Sequence, residues 1–141
     1  MTEVYDTPHL CFILKSRIPE LLPHYLQRAR QTLERMLKVF GDHPKVEYRQ
    51  ALYDGGMQSV FDELANAKDK TRVLMVLGHE PTVSVSCQWL ASSDSDMVKL
   101  DLLNLGMSTA SVVVFGSDQP FSRWQVHDAE LLAVLSPKDF D

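Results

Sequence analysis

The chain has 141 residues and a mass of 16.0 kDa, the size of one ordinary domain with room for a real core. Hydrophobic residues make up 45% and charged residues 23%, a globular balance that excludes disordered and fibrous classes. The 14 basic residues are outnumbered by 19 acidic ones, a net charge of -5 that supplies no basic surface for nucleic acid.

The first apolar run is Leu10, Cys11, Phe12, Ile13 and Leu14. It is short and continuous, as in a buried strand of an α/β sheet. After Pro19 and Pro23, an amphipathic helical pattern runs through Leu22, Tyr25, Leu26, Ala29, Leu33, Met36, Leu37 and Phe40, and Gly41 stops it. Val46, Tyr48 and Ala51-Leu52 read as a short extended segment, followed by a turn at Asp54-Gly55-Gly56. Val60, Phe61, Leu64 and Ala65 mark a second helix. Residues 73–77, Val-Leu-Met-Val-Leu, form the clearest strand, apolar on both faces.

Gly78-His79-Glu80-Pro81 follows at once, with a helix starting near Pro81. Cys87 and Trp89 belong to that helix. Residues 92–96 form a polar loop, and 100–105 are apolar without a readable period. Residues 111–115 form a strand and 124–126 its expected hairpin partner. Residues 131–135 form the last strand, closed by Pro137. This order gives an α/β protein with an antiparallel portion at the C-terminal end.

Two cysteines, Cys11 and Cys87, are too few for a disulfide framework and suit a reducing compartment. No stretch approaches the roughly 20 apolar residues of a membrane span. The 10–14 run is too short for a signal peptide, and Glu3 and Asp6 stand before it where basic residues are needed. The expected location is therefore the cytoplasm, with no membrane partner.

His79 lies where a buried strand ends and a helix begins, the place where ligands bind in open α/β sheets. Backbone N–H groups at a helix start favour an anion there. Gly78 permits close approach to the backbone. A turn histidine that merely caps the helix is the competing reading. Arg28 and Arg30 are separated by one residue and so do not share a helix face. Arg28 in a first turn can aim its planar fork at a phosphate while Arg30 stays solvated. Cys87 reads as core, and Ser84 and Ser86 as capping or solvated groups.

Arg28-Ala29-Arg30-Gln31-Thr32, then Leu52-Tyr53-Asp54, then Val76-Leu77-Gly78-His79-Glu80-Pro81, resembles the histidine phosphatase superfamily, and within it the small SixA-type phosphohistidine phosphatases. Ser108-Thr109-Ala110-Ser111, Trp124 and the closing 135–139 segment extend the likeness from about residue 27 to the end. The resemblance implies a three-layer α/β/α sandwich with a mostly parallel mixed sheet of the phosphoglycerate mutase-like type. It also implies a phosphate pocket in which Arg28 matches the second arginine and His79 the second histidine. Gly78 lies beside the phosphate and Glu80 at the pocket rim. Catalysis in the family is covalent, with clamping of the phosphoryl oxygens and neither metal nor cofactor. The implied partner is a phosphorylated protein or a small phosphoester.

The family's nucleophile, a histidine in an Arg-His-Gly or Arg-His-Ala motif after the first strand, has no counterpart. The 5 histidines are His9, His24, His43, His79 and His127, and none follows an arginine. Two accounts of the N-terminus result. In one, the 10–14 run is the first strand and Lys15-Ser16 stands where the family has Arg-His. In the other, which the short 18–26 interval favours, residues 1–26 are atypical or unrelated, the sandwich is incomplete at its N-terminus, and the domain spans 27–141. The expected function is a phosphohistidine or phosphomonoester phosphatase, truncated and without its nucleophile. The alternative is a non-catalytic phosphate- or phosphoprotein-binding module.

Overall fold

The computed structural model describes residues 9–15, 47, 49–108 and 110–140. The elements in chain order are β1 (His9–Lys15), α1 (Ala51–Asp54), α2 (Gly56–Asn66), β2 (Val73–Gly78), α3 (Thr82–Leu90), α4 (Met97–Asn104), β3 (Val112–Ser117) and β4 (Glu130–Leu135). Short 3-10 helices cover Phe121–Arg123 and Pro137–Phe140. The class is α/β.

The sheet order is β2-β1-β3-β4. β1 pairs parallel with β2 and antiparallel with β3, and β3 pairs antiparallel with β4. Three of the described strands therefore run one way and β3 runs against them, a mixed sheet. The apolar 10–14 run thus lies in a strand with neighbours on both sides. The 26/27 boundary falls outside the described residues.

One face of the sheet carries the core. Register aligns Cys11 with Leu74 and Phe115, and Ile13 with Val76 and Val113. Leu131 and Val134 continue this row on β4, across a register shift at Val114/Phe115. Val60 and Leu64 of α2 and Val83, Cys87 and Leu90 of α3 join the same cluster. Each side chain taken fully out of water in this way stabilises by about 1.5–3 kcal/mol if it is Val, Leu, Ile or Phe. This packing against the sheet fixes the direction in which α3 leaves the end of β2.

Two local expectations change. Residues 51–54 are helical, not extended: the Gly55 N–H closes the turn onto the Ala51 carbonyl at 2.7 Å, and Leu52 packs against the core. Residues 124–126 are not the hairpin partner of β3. β4 takes that role, and the Trp124 indole instead donates to the Gln119 carbonyl at 2.9 Å behind the turn that Pro120 starts. His127 lies in an exposed turn with φ 58°, stacks on Trp89 at 5.5 Å, and places Nδ1 2.9 Å from the Ala91 carbonyl, tying the end of α3 to the loop before β4.

The 100–105 stretch lies largely within α4. Asp96 caps this helix by accepting from the Val98 N–H at 2.8 Å and the Lys99 N–H at 3.4 Å.

Candidate functional site

β1 and β2 end side by side: Lys15 is the register partner of Gly78. His79 therefore follows β2 at the end of the sheet where β1 also ends. Gly78 is buried, and a Cβ there would meet Val83 Cγ2 at 3.0 Å. The glycine lets α3 fold back tightly on the strand it follows. The Glu80–Pro81 peptide is cis, and α3 starts at Thr82.

His79 is half-buried. Its Nδ1 lies 2.9 Å from the backbone carbonyl of Glu80. A carbonyl only accepts, so Nδ1 carries the proton in this bond. Nε2 is then an acceptor when the ring is neutral and a charged donor when it is protonated. Burial lowers the His79 pKa from its ordinary value, and the charge of Glu80 pulls more weakly the other way.

The start of α3 is less open than a bare helix end. The Ser84 N–H donates to Glu80 Oε1 at 2.9 Å, and Ser84 Oγ donates to Glu80 Oε2 at 2.5 Å. The Val83 N–H donates to the His79 carbonyl at 2.9 Å and the Val85 N–H to the Pro81 carbonyl at 3.1 Å. Pro81 has no N–H to offer. The expectation of several unoccupied backbone donors here is corrected: an internal carboxylate and two carbonyls take three of them. Glu80 precedes the N-cap, Pro81, and takes the Ser84 donors from there at i, i+4 spacing. Ser86 is fully buried, and its hydroxyl has no hydrogen-bond partner among the described residues.

Arg28, the other residue expected in the pocket, lies outside the described residues, as do Ser16, His24 and His43. His9 begins β1 opposite Ser117, about 20 Å along the strand from Lys15. His127 sits near that same far end. A cavity of about 550 Å³ opens there, with Asp94, Asp118, Asp128, Glu130 and His127 among its lining residues. Its carboxylates repel an anion, so it does not compete with the His79 end as a phosphate site.

Among the described residues, no group of three or more His, Cys, Asp or Glu side chains is placed to hold a metal ion. No described helix is long and apolar enough to cross a membrane.

The chain has a SixA-like fold. Over 92% of its length it superposes, with a TM-score of 0.66 and 18% identity, on 96% of the solved chain of a provisionally assigned phosphohistidine phosphatase SixA from Nakamurella multipartitia. The three-layer α/β/α class expected from the sequence is this fold. No protein-family model matches the chain. It is 23% identical over 128 residues to uncharacterized protein ML1117 of Mycobacterium leprae, covering 89% of this chain and 77% of that protein. It is 32% identical over 88 residues to uncharacterized protein Rv1276c of Mycobacterium tuberculosis, covering 62% of this chain but 53% of the relative, about half its length.

Proposed function

We propose that the chain binds the phosphoryl group of a phosphorylated protein or small phosphoester at the carboxyl ends of β1 and β2, without hydrolysing it through a histidine nucleophile. The observation that carries this reading is the pairing of Lys15 with Gly78. It sets the carboxyl ends of the two parallel strands side by side, one residue before His79. In the family that the sequence resembles, an Arg-His pair stands at that place and its histidine attacks phosphorus. Here the residues are Lys15 and Ser16.

Arg28 supplies a planar, permanently charged fork for two phosphate oxygens. Protonated His79 donates through Nε2 to a third. These groups bind and orient a phosphoryl group and neutralise part of its charge. The attacking imidazole is the missing part, and removing one member of such a catalytic unit leaves only a small residue of its rate.

Turnover of a generic aryl phosphate tests the reading. Release should stay at the buffer blank and be unchanged by His79→Ala. Robust turnover that disappears in His79→Ala would overturn it and reinstate phosphatase activity with a replacement nucleophile.

A further inference from the structure

α4 is apolar on two sides. Leu103 is buried in the core. Val98, Leu102 and the C-cap Leu105 fall at i, i+4 and i+7 and face water, 69%, 46% and 83% exposed. Met97, at the start of the helix, is exposed as well. Apolar residues scattered singly over a surface are ordinary, but a helix face that meets only water carries polar side chains along such a row. The helix packs on β4, one edge of the described sheet, whereas His79 follows β2 at the other edge. The row is therefore separate from the phosphoryl site proposed above.

The surroundings of the row are acidic. Asp96 caps α4 and Asp101 lies on it. Asp94 lines a cavity together with Asp128 and with Glu130, the first residue of β4. The Leu131 N–H donates to Ser95 Oγ at 2.9 Å and ties the loop before α4 to that strand. Against these carboxylates the helix carries one cation, Lys99. Among the described residues, none of the five carboxylates is paired with a cation.

We infer that the exposed face of α4 is a docking surface for a basic amphipathic segment of another protein. Its aliphatic side chains cover Val98, Leu102 and Leu105, and its lysines or arginines meet the surrounding carboxylates. Apolar burial supplies the affinity, and charge supplies orientation and speed of encounter. Charge also selects this occupant over two others that an apolar row could take. A second copy of the chain brings the same carboxylates to the interface, and an anionic membrane surface repels them.

The probe is a synthetic peptide of leucine and lysine, about 14 residues long, with its leucines at i, i+3, i+4 and i+7. Its control is a scrambled peptide of the same composition. NMR shifts of the whole chain should concentrate at residues 97–105. The scrambled peptide should bind on the order of fivefold more weakly, and Val98→Ser and Leu102→Ser should each weaken the ordered peptide by a similar factor. Asp101→Asn should weaken it about twofold at low salt and less at high salt. Val73→Thr, at an exposed position on β2, should change nothing. The scrambled peptide decides the question on the unaltered chain if a variant does not fold. Equal binding of the two peptides overturns the proposal, because charge alone then holds them. Self-association in sedimentation, or binding to phosphatidylserine vesicles, that disappears in Leu102→Ser while the peptide does not bind also overturns it, and gives the face to a second copy or to a membrane. Absence of any such response overturns it as well.

Discussion

Lys15 closes β1 directly beside Gly78, which closes β2. Two parallel strands therefore end side by side, and His79 is the first residue beyond Gly78. The core behind this end, built from Cys11, Ile13, Val76, Val83 and Cys87, holds both strand ends and the helix start as one packed unit. Changes in that unit should be felt at the site, and the predictions below probe it from the core outward.

Ser86 lies in α3 with a fully buried hydroxyl that has no partner among the described residues. Such a group loses its hydrogen bonds to water without replacement. Ser86→Ala should therefore stabilise the fold by about 1 kcal/mol, with a further small gain from helix propensity. Urea unfolding of the two proteins measures this. A loss of similar size would show that the hydroxyl makes a bond that matters.

Cys11 and Cys87 are both buried thiols. Burial pushes the Cys11 pKa up to about 12 and raises that of Cys87 well above the ordinary thiol value. The thiolate is the reactive form, so neither should react with an aromatic disulfide reagent while the protein is folded. Both should react in denaturant. Rapid labelling of either thiol in the native protein would contradict the packing of α3 on β1.

The lowered pKa of His79 gives a signed pH dependence. Burial makes the folded chain release this proton more readily than the unfolded chain, whose histidine titrates near 6.5. Between the folded and unfolded values, the unfolded chain holds more protons, so stability rises with pH through that window. The contribution is fully present above about 6.5 and is lost as pH falls toward the folded value. Unfolding free energies of wild type and His79→Gln, measured without added anions from about pH 5 to 8, should differ in slope below 6.5 and run parallel above it. Identical slopes throughout would show that His79 is as solvated as in the unfolded chain.

Much of this architecture is legible in the sequence because it follows from apolar runs. Residues 73–77 and 10–14 are short continuous apolar runs, as strands are, and they pair with each other, although β2 lies at the edge of the described sheet with Val73 and Met75 exposed. The strand–Gly–His–Glu–Pro–helix sequence likewise places His79 at a strand end. Less visible is α4, because Met97, Val98 and Leu102 are exposed while Leu103 is buried, so no apolar stripe emerges. The partner of β3 was misplaced because Trp124 and Val126 look like strand residues. Their setting is decided by a long-range packing choice and an indole bond to Gln119. The occupation of the α3 start by Glu80 was hidden for a different reason. A glutamate next to a histidine reads as a pocket group until its two bonds to Ser84 are seen.

The measurement closest to the central claim is a phosphate titration of the folded chain, followed by NMR at residues 78–82, with Arg28→Ala and His79→Ala as companions. Phosphate should shift these signals with a dissociation constant in the millimolar range, about 4 kcal/mol of binding free energy. Each substitution should weaken that response, because each removes a donor to the anion. Unmoved signals at high phosphate, or an unchanged response in both variants, would contradict the account and leave His79 as a turn residue held by its bond to Glu80.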